Sequence, residues 1–189
     1  QTLGINARPV PQVRLALPDY WVLPFGNGMI RLKGHIAYGK MTDDNWQHSF
    51  TNRQSKYADG VLYHSKAGYI MIGNPDRFMP LSLELGLEMA TQFGGTSHMF
   101  DAAGKETVVK NNGGLKGMFK ALIPGGGDAP EMSTIYQNAE GNHLGSWVAR
   151  LNYDADTWKF SFYADKYFED HSSMFLIDYD GYGTGEEWN

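Results

Sequence analysis

Pro80-Leu-Ser-Leu-Glu-Leu-Gly-Leu-Glu-Met-Ala-Thr-Gln-Phe-Gly-Gly95 is the stretch that decides the fold. Leu81, Leu83, Leu85, Leu87 and Met89 occupy its odd positions, and Ser82, Glu84, Gly86, Glu88, Ala90 and Gln92 its even ones. Side chains alternate across a strand, so a period of two with one apolar and one polar face describes a long β-strand between an apolar medium and water. The Gly94-Gly95 pair ends it.

The same period recurs on both sides. Gln12 to Leu17 alternates until Pro18-Asp19, the mark of a short or edge strand. From Gly28 to Met41, Ile30, Leu32, Ile36 and Tyr38 share one face, and Arg31, Lys33 and His35 make the other basic. Val61 to Gly73 is strand-like but less cleanly two-sided, and Asn74-Pro75-Asp76 turns it into the Pro80 stretch. After His143, Trp147, Ala149, Leu151 and Tyr153 form one face; a turn over residues 154–157 leads to Trp158, Phe160 and Phe162. Phe175 to Tyr179 has the character of a seventh strand, and Gly181 to Asn189 that of an acidic loop. Thr42 to Tyr57 reads as a loop packed down by Trp46 and Phe50. Thr96 to His143 is the longest stretch without alternation. Within it Leu115, Met118, Phe119, Leu122 and Ile123 recur at helical spacing opposite Lys116 and Lys120, which predicts a short amphipathic helix packed on the sheet and stopped at Pro124-Gly125-Gly126-Gly127.

Composition narrows the function classes. The 189 residues fit one domain, and 16 Lys+Arg against 21 Asp+Glu leave a net charge of -5, which argues against nucleic acid as a partner. There is no Cys, hence no disulfide framework, thiolate metal site or cysteine nucleophile. Apolar runs are far too short for a membrane-spanning helix. Gln1 to Gly4 shows neither the basic start nor the apolar core of a signal peptide, so if the protein is exported, its signal is expected to have been removed or to lie outside this chain.

Two architectures accommodate long alternating strands joined by hairpins. In a soluble sandwich or barrel the apolar faces make a core; in a transmembrane barrel they meet lipid, and Arg31, Lys33, His35, Glu84, Glu88, Arg150 and Lys159 line a wet lumen. The clearest strands run about ten to thirteen residues, nearer the roughly 9–11 that cross a bilayer than the soluble mean of about 5–6. Tyr38, Trp147, Tyr153, Trp158 and Phe168 lie near strand ends, as interfacial aromatic girdles do. Six strands, or seven, fall short of the roughly eight a single-chain barrel needs. The expected fold is therefore all-β: an antiparallel up-and-down transmembrane β-barrel, incomplete in this chain, one domain over residues 1–189 with one short amphipathic helix in a long loop near residues 96–143.

Arg31-Leu-Lys-Gly-His-Ile-Ala-Tyr-Gly-Lys40, Val61-Leu-Tyr-His-Ser-Lys-Ala-Gly68, Gly86-Leu-Glu-Met-Ala-Thr-Gln-Phe-Gly-Gly95, Glu140-Gly-Asn-His-Leu-Gly-Ser-Trp147 and Phe168-Glu-Asp-His-Ser172 follow in an order and spacing that resembles the capsule assembly Wzi family of Bacteroides-like bacteria. The resemblance covers most of the chain and implies an internal portion of a much longer outer-membrane β-barrel that attaches capsular polysaccharide to the cell surface. It carries no catalytic signature. The partners it implies are capsular or other surface polysaccharide and outer-membrane lipid.

Candidate chemistry is sparse. Glu84 and Glu88 lie four apart on one strand face, roughly 13 Å at about 3.3 Å per residue, beyond the about 5–9.5 Å of glycosidase carboxylate pairs. They read as lumen wall, with Arg150 and Lys159, rather than as catalysts. Arg31, Lys33 and His35, with His64 and Lys66 on the neighbouring strand and Trp46 as a stacking surface, form a candidate site for an anionic polysaccharide; the plainer alternative is cross-strand pairing with Glu84 and Glu88. Glu169-Asp170-His171 reads as a solvated turn, and no metal, cofactor or catalytic residue is expected. A porin-like channel and a soluble carbohydrate-binding or carbohydrate-active β-domain are the competing functions.

Overall fold

The computed structural model describes residues 9–42, 44–52, 55–73, 80–123 and 143–169. Six long strands make its main sheet: β1 (Gln12–Val22), β2 (Ile30–Lys40), β4 (Leu62–Ile72), β5 (Leu81–Phe93), β8 (His143–Asp154) and β9 (Lys159–Glu169). They follow chain order, β1-β2-β4-β5-β8-β9, every neighbouring pair antiparallel. The up-and-down order is as expected. Among the described residues the sheet is open, with β1 and β9 as its two edges. The expected strand from Phe175 to Tyr179, the loop from Gly181, Asn74-Pro75-Asp76, Gly125 to Gly127 and Asp170-His171 lie outside the described residues.

β1 runs past Pro18, where the sequence pattern placed its end. A register shift between Leu17 and Trp21 absorbs the interruption, and an edge strand tolerates the missing N–H because one side of its ladder is unpaired. The short connections all lie at one end of the sheet, over residues 23–29, 73–80 and 155–158. Both long ones, 41–61 and 94–142, lie at the other.

The long connections carry more order than their composition suggested. The first holds helix α1 (Trp46–Thr51) and β3 (Tyr57–Asp59), the second β6 (Thr96–Phe100), β7 (Glu106–Lys110) and helix α2 (Leu115–Leu122), so among the described residues there are two helices where one was expected. β3, β6 and β7 form a second, three-stranded sheet. β3 leads into β4 and β6 leaves β5, so their pairing continues the β4/β5 ladder beyond a break at Gly94 and Gly95. Both glycines have positive φ, +62° and +79°, and a Cβ on Gly95 would stand 2.7 Å from the Asp59 carbonyl oxygen. Asp101 turns the β6–β7 hairpin by accepting hydrogen bonds from the backbone N–H groups of Ala103 and Lys105 at 2.9 and 2.8 Å.

The central strands are inverted relative to a soluble sheet. In β5 the polar side is buried and the leucine side open: Glu84 is 5% exposed and Leu85 47%. Register extends both faces across the sheet. Leu15 pairs with Ile36, Leu32 with Ile70, Ile70 with Leu85, Leu83 with Leu151 and Leu151 with Phe162 on the outward apolar face. Ser65, Ser82 and Ser146 are buried on the polar one. Monomeric soluble proteins seldom leave so continuous an apolar surface uncovered.

Apolar burial concentrates at the long-connection end, where Tyr63, Met89, Ala90, Phe93, Ala121 and Phe168 are buried. Phe168, expected as a girdle aromatic, lies instead across Gly145 and packs with Met89. α2 covers the apolar face here, but it buries Gly117 and Ala121 rather than its leucine side.

Candidate functional site

The polar face is organised by register into transverse ranks. One runs Arg31, Met71, Glu84, Arg150, Tyr163; the next Lys33, Tyr69, Gly86, Val148, Asp165; a third His35, Ala67, Glu88, Ser146, Tyr167. The absence of a side chain at Gly86 shapes the middle of this face. The Tyr69 ring lies directly over it, and a Cβ there would come within 2.3 Å of Cδ1.

From that position Tyr69 donates a hydrogen bond from its hydroxyl to Glu88, and Tyr20 on β1 donates one to Glu84. Lys33 stands between the two tyrosines, its Nζ 4.4 Å from the Tyr20 ring centroid and 4.7 Å from that of Tyr69, and 3.8 Å from a Glu84 carboxylate oxygen. Cation–π attraction and the carboxylate hold one ammonium from three sides. Arg150, register-paired with Glu84, places its guanidinium 5.8 Å from the Tyr163 ring, and Tyr163 donates to Asp165. Asn152 links Ser82 and Ser161, donating to the first at 3.5 Å and accepting from the second at 2.7 Å. The result is a polar face on which tyrosine hydroxyls and one lysine meet the carboxylates of Glu84, Glu88 and Asp165.

Arg31, Lys33 and His35 share this face, as expected. His64 and Lys66 do not: His64 pairs in register with Tyr38, and Lys66 with Ile36, so both lie on the opposite face. The two basic strips therefore do not make one surface, a correction with a simple cause, because registers that oppose Ile36 to Lys66 put odd-numbered basic residues of β2 and even-numbered ones of β4 on different sides. His64 is buried with a ring nitrogen 2.9 Å from the Ala37 carbonyl oxygen, and Lys66 donates to the α2 carbonyls of Ala121, at 3.1 Å, and Leu122. His35 lies 3.3 Å from the Ser65 hydroxyl. Glu84, Glu88 and Arg150 lie on this polar face. Lys159 has the same parity but stands at its end, at the β8–β9 turn, largely exposed and paired with Asp154 at 2.8 Å.

Trp46 is on α1, apart from either strip. It stacks on Phe50 with ring centroids 5.0 Å apart and planes at 15°, and both are exposed. The small sheet beside α1 carries a second aromatic group: Tyr57 stacks on His98 at 4.5 Å and on Phe100 at 6.4 Å. His98 turns one nitrogen toward Glu106 at 2.7 Å and the other toward Asp59 at 3.4 Å, so both ring nitrogens are engaged. Among the described residues no group of three or more acidic and histidine side chains is arranged to hold a metal ion.

Tyr20, Tyr69, Tyr163 and Asp165 were not singled out from the sequence. Parity places Tyr69, Tyr163 and Asp165 on the polar face, but only the pairing of strands shows which carboxylates they meet. No family model, curated protein or solved structure matches the chain.

Proposed function

We propose that this chain is a wall segment of an outer-membrane β-barrel that binds or anchors surface polysaccharide and performs no chemistry. One observation carries the membrane reading: the central strands bury their polar side and present their leucine side outward, the inverse of a soluble sheet and the arrangement a lipid-facing barrel wall requires. Strand length supports it, since β5 spans Leu81–Phe93, and so does the segregation of short turns at one end and long connections at the other. The resemblance to the capsule assembly Wzi family supports the polysaccharide.

The contact surface we assign to the glycan is the exposed Trp46–Phe50 stack on the long-connection side, not the polar wall, because Lys33 is already committed to Glu84 and two tyrosine rings. Stacking on a sugar face needs an accessible ring, and the Trp46–Phe50 pair supplies one. Glu84 and Glu88 each accept a tyrosine hydroxyl, which suits a rigid wall.

Two measurements on the full-length protein test the proposal. Purification without detergent as a monodisperse species would remove the membrane half. Retention on capsular polysaccharide is expected to fall about fivefold or more in Trp46→Ala, the usual consequence of truncating an interfacial tryptophan. Unchanged retention alongside ion conductance in planar bilayers would replace the anchor by a channel.

A further inference from the structure

Apart from Lys166 on β9, opposite Trp147, the outward face of the sheet is apolar except at its long-connection end. There His64, Lys66, Thr91 and His143 interrupt it. Polar groups at such positions would be costly against hydrocarbon. α2 lies over this patch. Tyr38 donates its hydroxyl to the Met118 carbonyl at 3.0 Å, Lys66 its ammonium to Ala121 and Leu122, and His143 Nε2 stands 3.0 Å from the Ala121 oxygen. The last carbonyls of a helix lack partners of their own and favour a cation, so the patch and the helix end satisfy each other.

Close approach depends on small residues. Gly117 and Ala121 are the buried positions of α2, and a Cβ on Gly117 would stand 2.1 Å from the Asn112 carbonyl oxygen and 3.3 Å from the Phe93 ring. With the small side inward, Leu115, Phe119 and Ile123 point away from the sheet at 74%, 64% and 64% exposure. They carry the outward apolar surface of Leu81 and Leu85 across the polar patch. Lys116 and Lys120 lie on a flank of the same helix. Beside α2 an apolar groove of about 490 Å³ is lined by Val13, Tyr38, Leu62, Phe93 and Met118.

We propose that α2 is an interfacial helix: it covers the polar patch of the outer face and inserts Leu115, Phe119 and Ile123 into the lipid boundary, with an acyl chain in the adjoining groove. The occupant is lipid rather than a protein because the exposed arc of the helix continues the apolar face of the strands and is edged by lysines, the pattern of a helix lying about 5–10 Å into the headgroup and acyl boundary. This inference rests on the membrane reading proposed above.

These 189 residues contain no cysteine, so once any cysteine elsewhere in the full-length protein is replaced by serine, single labels are unambiguous. Full-length Phe119→Cys and Leu85→Cys, each carrying an environment-sensitive fluorophore, are reconstituted in phosphatidylcholine–phosphatidylglycerol vesicles with a spin-labelled lipid whose quencher sits near the carbonyls or near the chain ends. The expected result at residue 119 is emission roughly halved by the shallow quencher, with little response to aqueous iodide, as the depth of an interfacial helix requires. Residue 85 should respond to the lipid quenchers as a wall position. Quenching at 85 with iodide access at 119 overturns the interfacial helix and keeps the wall. Shielding of 119 from iodide without lipid quenching overturns it in favour of a protein contact. No lipid quenching at either position sinks the membrane reading itself.

Discussion

Gly86 shows how much one missing side chain controls. Its empty position admits the Tyr69 ring, which carries a hydrogen bond to Glu88 and one of the two faces that hold Lys33. Gly86→Ala forces that ring aside and is expected to lower unfolding stability by about 1–3 kcal/mol, the range for overpacking a fitted site, measured by urea titration in detergent micelles. Combining it with Tyr69→Ala should cost less than the sum of the two single changes, because the clash is gone. Additive losses would mean that the ring and the glycine are not in contact. The parity of Gly86 was legible in the sequence, but its role was not, because the residue that fills it comes from another strand.

At the scale of elements, the six long strands were readable because apolar and polar side chains alternate along them, most cleanly in β5, and the period of two survives any detail of packing. β3, β6 and β7 were not. Each is at most five residues long, and none alternates cleanly. Their order comes from the ladder they continue and from the Asp101 turn. Gly95 is the hinge of that continuation, with φ +79° and a Cβ position 3.0 Å from the Val61 Cα. Gly95→Ala should uncouple the small sheet from the large one at a cost of about 1 kcal/mol or more. The check is amide hydrogen exchange, which should accelerate in β3 and β6 while β4 and β5 keep their protection; equal acceleration in all four would show one cooperative unit. α2 was legible as an amphipathic helix, yet its orientation was reversed. An apolar stripe ordinarily faces the core, whereas here Gly117 and Ala121 face the sheet because the carbonyls of α2 must come within reach of Lys66 and His143.

For the whole molecule, the two edges matter most. β1 and β9 each present a long strand edge, and among the described residues nothing pairs with either. On the proposed membrane reading, unpaired N–H and C=O groups of this length need further strands. In the full-length protein they are expected to find them. Folded, unheated protein should migrate faster on SDS gels than the boiled form, as a closed wall that resists detergent does. By contrast, residues 1–189 alone should associate through their edges, which light scattering in mild detergent would reveal. Heat-independent migration of the full-length protein would count against closure.

Sequence alone determined the class of structure: long two-sided antiparallel strands in chain order, a short amphipathic helix, and a charged face opposite an apolar one. Those properties follow from periodicity and sign, which are local. Tertiary structure decided which face is buried, because burial depends on what neighbouring strands bring to each side. It also separated His64 and Lys66 from Arg31, Lys33 and His35, a consequence of strand register that no single strand contains. The pairing of Lys33 with Glu84 and the fit of Tyr69 over Gly86 are likewise relations between strands, fixed only when β2, β4 and β5 lie side by side.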